Sequence, residues 1–267
     1  MVEPVERADD PRISDYQHVG DPRWLRARGL FVAEGRLVVR RLLESERFPI
    51  HSILLTPAAL HSFELRFQTM APVYLASPEV VDAIAGFNFH RGCLALAARP
   101  PGDAPARRFI TPRVILALEG VGNPDNVGGL FRVASAFGAD GILIDPTTAD
   151  PFYRKAVRTS MAAVLDVPFE RAIPWPQVLQ EYRDDDFTVV ALTPRTHAQP
   201  LADFARTARA PLIVMVGAEG RGLSDAALAQ ADAAVRIPIA PPVDSLNVTV
   251  AAGVALAYLS DAIGIGQ

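Results

Sequence analysis

The sequence predicts an α/β fold: a small α/β domain followed by a larger one built on a mostly parallel sheet. Three observations carry this. Short apolar runs alternate with segments of helical period along most of the 267 residues. Two of those runs, 114–118 and 211–216, are apolar throughout, which is the pattern of strands buried on both faces. Residues 99–112 hold four prolines and a glycine, and such a stretch suits a linker, because proline fixes φ and cannot donate to a ladder. The chain accordingly divides into a mobile tail over 1–11, a first domain over 12–98, the linker over 99–112 and a second domain over 113–267. No repeat of fixed period is present.

In the first domain, residues 21–28 read as a helix and 31–33 as a short strand. Over 35–46, Leu37, Val38, Leu42 and Leu43 share a face while Arg36, Arg40, Arg41 and Glu44 lie off it, which predicts an amphipathic helix. Residues 50–55, 73–75 and 93–97 read as strands. Residues 57–67 and 78–85 read as helices, each opened by a proline at the tolerated first position. In the second domain, strand 114–118 leads to a helix over 127–137 that stops at Gly138, a usual left-handed terminator. Strands follow at 141–144, 187–192, 211–216 and 234–237. A helix over 245–263 closes the chain, with Ser245 as its N-cap and Asn247 in its first turn. Strands that alternate with helices make a parallel sheet.

Half of the residues are apolar and 21% are charged, which excludes disordered and fibrous classes. The net charge of −4 excludes a uniformly basic nucleic-acid coat. Cys93 is the only cysteine, so no intrachain disulfide forms and a zinc cluster is not expected. Residues 1–11 lack the apolar stretch of a secretory signal, and the longest near-apolar run, 248–259, is too short to span a bilayer. The expectation is a soluble, cytoplasmic protein. Its positive charge is arginine except for Lys155, and it is unevenly spread. Residues 12–47 hold eight arginines against five acids, and residues 91–113 five against one.

The common nucleotide fingerprints fail. Gly120-Val121-Gly122 follows a strand, but Asp125 stands where a dinucleotide turn needs its third glycine, and no phosphate-binding G-x-x-x-x-G-K-[ST] loop exists. Three other segments stand out, each at the end of an expected strand: 123–132 (NPDNVGGLFR), 216–224 (VGAEGRGLS) and 237–252 (IPIAPPVDSLNVTVAA). In parallel sheets ligands collect beyond the carboxyl ends of the strands. Taken singly, Arg132 reads as a surface arginine, Glu219 as a loop carboxylate, and Ser245 and Asn247 as capping residues. Their order and spacing together point to a site.

These segments resemble the SpoU (also called TrmH) family of RNA 2′-O-ribose methyltransferases, within the SPOUT class. Asn126, Gly128 and Arg132 meet the family's Asn-x-Gly-x-x-x-Arg motif. Gly217, Glu219, Gly222 and Leu223 meet its Gly-x-Glu-x-x-Gly-Leu motif. Ser245, Leu246, Asn247 and Val248 meet its Ser-Leu-Asn-Val-Ser stretch, with Thr249 in place of the last serine. A second departure is the lack of a glycine near Ala162. The resemblance covers the whole second domain, and more loosely residues 31–35 resemble the opening of the family's substrate-binding domain. It implies a deep trefoil knot and S-adenosylmethionine held folded in it by backbone groups near Leu192, Thr193, Gly217, Ile237 and Leu246. It further implies a homodimer with active sites near the interface. From the single cysteine and the short apolar runs, no metal or membrane partner is expected.

The implied reaction moves a methyl group from a sulfonium to a ribose oxygen. The leaving group is already good, so the protein has to align the atoms and stabilise the developing alkoxide. Arg132 is the family's catalytic residue, read here as a phosphate clamp and charge stabiliser, because an arginine stays protonated; a neutral Arg132 acting as base is the competing view. Asn126, Glu219, Ser245 and Asn247 orient the ribose, the arginine and the loops. The RNA-backbone candidates are Arg23, Arg26, Arg28 and Arg91, with Arg154 and Arg158. Phe87, Phe89 and His90 either stack on an unpaired base or anchor a loop. The appended first domain favours ribosomal over transfer RNA. A non-catalytic RNA-binding member of the fold is the alternative, and Ser-Leu-Asn favours ribose over base methylation.

Overall fold

The computed structural model describes residues 2–63, 69–85, 92–100 and 109–265. Strands β1–β5 are Val2–Val5, Leu30–Glu34, Ile50–Leu55, Val73–Ala76 and Cys93–Ala98. Strands β6–β12 are Val114–Glu119, Gly141–Ile144, Phe169–Arg171, Thr188–Leu192, Gln199–Pro200, Leu212–Gly217 and Ala233–Arg236. Helices α1–α5 are Pro22–Ala27, Arg36–Glu44, Pro57–Ser62, Pro78–Ala85 and Pro124–Ala136. Helices α6–α11 are Arg154–Thr159, Ala163–Asp166, Val178–Asp184, Leu201–Ala205, Asp225–Leu228 and Val248–Ala262. The chain forms two compact units: Met1–Gly102 with Pro151–Leu165, and Asp103–Asp150 with Asp166–Gln267.

The first unit holds a mixed sheet in the order β1-β4-β3-β5-β2. Strands β2 and β3 run antiparallel to β5, while β4 runs parallel to β1 and β3. The expected mobile tail is corrected here, since Val2–Val5 is an edge strand paired with β4. Its anchor is Val5, which is buried with Ile13 and Tyr16 of the following 3₁₀ turn. Burial pushes the Tyr16 hydroxyl pKa far up, and the hydroxyl is satisfied at 2.9 Å by Ser52.

The expected domain boundary is corrected as well, because residues 151–165 belong to the first unit. The physical reason is Glu34, an acid at the end of the fully buried strand β2. Arg154 donates to it at 2.8 Å, and Arg158 stands 3.8 Å away. Phe152 packs beside them against Phe31 and Phe48, with ring centroids 4.9 and 5.8 Å apart. The described ends of the expected linker are also built into the two units. The Arg99 backbone donates to the Gly29 carbonyl at 2.7 Å, and Phe109 is buried in the second core. Residues 101–108 lie outside the described residues.

The second unit is a seven-stranded sheet in the order β10-β12-β9-β11-β6-β7-β8, and every neighbouring pair is parallel. Strands β6 and β11, the two apolar runs, lie side by side at its centre and pair over six residues. Helix α5 starts at Pro124, earlier than its apolar period shows, because Asn123 accepts from the Asp125 N–H at 2.9 Å and caps it. It ends where Gly138 takes φ +68°. Helix α11 packs closely on α5: a Cβ on Gly129 would lie 2.7 Å from the Thr249 hydroxyl, so glycine permits that approach. Among the described residues no helix is long and apolar enough to cross a membrane.

The Glu34–Arg154 pair sits almost out of solvent, so loss of Arg154 leaves the buried Glu34 carboxylate with Arg158 alone, 3.8 Å away. Arg154→Ala should cost about 3 kcal/mol of stability in urea unfolding, while Glu34→Leu with Arg154→Met should cost clearly less.

Candidate active site

The carboxyl ends of β6, β9, β11 and β12 open onto one region of the second unit. From β11 the chain enters the 217–224 loop, which turns back at once: Gly222 N–H donates to the Ala218 carbonyl at 2.9 Å. A Cβ on Gly217 would stand 2.2 Å from the Gly222 backbone, so only glycine permits this fold-back. A cavity of about 480 Å³ lies against the loop. It is lined by all five residues expected to hold a cofactor: Leu192, Thr193, Gly217, Ile237 and Leu246. The volume suits a small-molecule cleft. The glycine-rich wall leaves backbone groups open and the leucine and isoleucine side chains supply an apolar surface, so the residues present fit a nucleoside-containing ligand.

Glu219, Ser245 and Asn247 line the same cavity. Asn247, not Ser245, is the N-cap of α11, which corrects the expected cap. Its Oδ1 accepts from the Thr249 N–H at 2.9 Å and the Val250 N–H at 3.4 Å. Its Nδ2 donates to Asn126 Oδ1 at 3.0 Å and to Glu219 Oε1 at 2.8 Å. Both side-chain ends of one residue therefore tie α5, α11 and the 217–224 loop together. Asn126 is buried and spends its oxygen on Asn247, leaving its amide N–H groups without a partner among the described residues. Ser245 is exposed at the cavity rim.

Arg132 is not brought to this cavity. It is exposed on α5, on a different face from the buried Asn126, and has no hydrogen-bond or ion-pair partner among the described residues.

Asp145, at the end of β7, fixes the turn that leads into α5. Its carboxylate accepts from Gly120 N–H at 3.0 Å, from the Thr148 N–H at 2.8 Å and hydroxyl at 2.6 Å, and from the Thr147 hydroxyl at 2.5 Å. Burial pushes this carboxyl up, but the bonds to Thr147, Thr148 and Gly120 outweigh it and hold its pKa below the ordinary aspartate value. The tether is thus present at neutral pH and is lost as pH falls through that lowered value.

The expected RNA arginines fare differently. Arg23, Arg26 and Arg28 are exposed in and beside α1 of the first unit. Arg28 lies over the Trp24 ring and pairs with Asp15 at 3.0 Å. Arg158 is partly exposed, but Arg154 is spent on Glu34, so its expected role on RNA is corrected to a structural one. Arg91, with Phe87, Phe89 and His90, lies outside the described residues. Sequence reasoning missed Glu119, Trp175, Arg195 and Arg221. Arg195 and Arg221 line the cavity, and Glu119 accepts from Trp175. Only Glu119 carried a visible signal, an acid ending an apolar strand.

Residues 113–257 match the SpoU rRNA Methylase family model. The chain belongs to the SpoU methylase family. An uncharacterised tRNA/rRNA methyltransferase of Mycobacterium tuberculosis is 38% identical to it, over 95% of this chain and 90% of the relative. A crystal structure of an RNA 2′-O ribose methyltransferase shares the fold with a TM-score of 0.82 at 24% identity, covering 97% of this chain and 98% of that one. An AdoMet-bound rRNA methyltransferase from Sinorhizobium meliloti gives 0.81 at 24% identity with the same coverage. SpoU methylases methylate RNA and take the methyl group from S-adenosylmethionine, whose nucleoside suits the cavity described above. Among the described residues of this SpoU methylase, no cluster of His, Cys, Asp and Glu could hold a metal ion.

Asn247 separates folding from chemistry. Asp caps a helix as well as Asn does, so Asn247→Asp should unfold within about 1 kcal/mol of the parent. It also sets a second carboxylate against Glu219. Methyl transfer at pH 8 should fall at least about tenfold and recover in part as pH drops and the pair shares a proton. Paired urea unfolding and a pH series of initial rates check both.

Proposed function

We propose that this SpoU methylase methylates a ribose 2′-hydroxyl in structured RNA in the cytoplasm, with ribosomal RNA favoured over transfer RNA. The Asn126–Asn247–Glu219 network, of which Asn247 and Glu219 line the cavity and Asn126 lies buried behind them, carries the reading. A hydroxyl both donates and accepts, and the cavity wall offers both kinds of partner: the exposed Ser245 hydroxyl and the carboxylate oxygens of Glu219, which Asn247 holds in place. S-adenosylmethionine, when bound, supplies an electrophilic methyl on a sulfonium. Leu192, Thr193, Gly217, Ile237 and Leu246 would hold it. The chain's own task is to fix the ribose and hold the charge that grows on its oxygen as the proton leaves. Ser245 orients the ribose at the rim, and Arg132 clamps the adjacent phosphate and stabilises that charge.

Since Arg132 is exposed and does not line its own chain's cavity, we assign it to a site completed by a second copy in a homodimer. The exposed Val250 and Tyr258, two helical turns apart on α11, support an apolar contact between copies. The sheet order supports the trefoil knot, because β11 lies between β6 and β9 although both precede it in the chain. For the choice of RNA, the support is the first unit with its exposed arginines, together with the rRNA methyltransferase among the structural neighbours.

Arg132→Ala should abolish transfer of labelled methyl into RNA while S-adenosylmethionine affinity stays within about threefold, and Arg132→Lys should recover little because it lacks the planar fork. A product that resists alkaline hydrolysis at one phosphodiester identifies the ribose oxygen; methyl label in alkali-sensitive nucleotides would point to a base. Mixing Arg132→Ala with Asn247→Asp should restore about a quarter of the activity if each site draws Arg132 from the second copy, since half of the dimers are mixed and hold one intact site. No restoration places Arg132 in its own chain's site. Replacing Arg23 and Arg26 by Gln should weaken RNA binding and flatten its salt dependence without changing cofactor affinity.

A further inference from the structure

Glu119 ends β6 directly beside Gly217 of β11. Its carboxylate takes three donors from two distant segments. Oε1 accepts from the Trp175 indole N–H at 2.8 Å and from the Ser224 hydroxyl at 2.7 Å, and Oε2 accepts from the Ser224 backbone N–H at 2.8 Å. The Ser224 oxygen accepts in turn from the Ala227 N–H at 3.1 Å and caps α10. Glu119 therefore fastens the far end of the 217–224 loop, while Asn247 holds Glu219 near its start.

The loop needs both clasps. Gly220 and Gly222 occupy left-handed backbone conformations, with φ +84° and +69°, and glycine backbones are the least restrained locally. The first five residues of β6 are apolar and buried, and an apolar sixth would serve the sheet equally well. A carboxylate there is costly unless its oxygens are matched, and the loop matches them.

We propose that Glu119 is a positioning residue for methyl transfer: by holding Ser224 it sets the register in which the loop walls the cavity and in which Glu219 meets Asn247. The name of the reaction rests on the function proposed above; the loop geometry does not. Trp175 makes the clasp observable. The chain has two tryptophans, and Trp24→Phe leaves Trp175 as the only one.

The test uses the full-length chain carrying Trp24→Phe. Glu119→Gln keeps shape and one acceptor, but its amide nitrogen cannot accept from the Ser224 N–H. The variant should stay folded, bind S-adenosylhomocysteine about tenfold more weakly and lose at least about tenfold in kcat, while KM for RNA stays within about twofold. The Trp175 emission change on adding S-adenosylhomocysteine should disappear. Ser224→Ala removes the hydroxyl bond to the same carboxylate and should show the same pattern, and the losses in the double variant should fall short of additive, because both changes weaken the one Glu119–Ser224 clasp. Folded single variants with unchanged kcat and cofactor affinity would overturn the proposal, as would additive losses in the double variant. Should Glu119→Gln fail to fold, Ser224→Ala decides by the same readouts. If the parent chain transfers no methyl to RNA, the proposed reaction fails, and S-adenosylhomocysteine affinity and Trp175 emission still judge the clasp.

Discussion

One side-chain amide governs this site. Asn247 turns its oxygen toward the open N–H groups at the start of α11 and its nitrogen toward Asn126 and Glu219. A helix terminus leaves backbone donors without partners, so the cap is needed for folding whatever the site does. By drawing the cap from the residue that also holds Glu219, the protein makes the start of α11, the first turn of α5 and the glycine loop one rigid corner. Gly129 and Thr249 complete it by letting the two helices touch at that level. Loop motion then has to be taken up beyond Glu219, where Arg221 stands exposed on the cavity wall.

The fold class was legible because buried parallel strands leave an unambiguous trace: the runs at 114–118 and 211–216 sit side by side in the sheet centre. The five residues expected on the cofactor side line one cavity, because Gly217 and Leu246 lie in the motifs and Leu192, Thr193 and Ile237 lie at the ends of the neighbouring strands β9 and β12. What failed were choices settled by distant partners. Ser245 and Asn247 are both good caps, and only Asn126 and Glu219, remote in sequence, decide between them. Arg154 looked like part of a basic helical face with Lys155 and Arg158, yet a buried acid 120 residues away claims it. Val2–Val5, with Glu3 and Pro4 inside it, lacks the apolar alternation of a strand and is held by its pairing to β4.

The arginine content divides on the same principle. Beyond Arg154, Arg113 donates to the Ile263 and Gly264 carbonyls past the end of α11, Arg47 to the Leu165 carbonyl and Arg236 to the Ala198 carbonyl. A guanidinium with several donors suits such carbonyls, which helix ends and turns leave open. These arginines fasten the chain to itself, and that part of the positive charge is committed within the fold.

The excursion of residues 151–165 into the first unit bears on how such a protein evolves. A domain that ends at a single linker can be gained, lost or exchanged by one recombination event. Here the first unit takes Phe152 and Arg154 from a loop encoded within the second, so a break at the proline-rich segment yields a first unit with Glu34 unanswered and a second with an orphaned aromatic and arginine. Exchange at that segment therefore strands both units, and substitution on their surfaces is the route left for change.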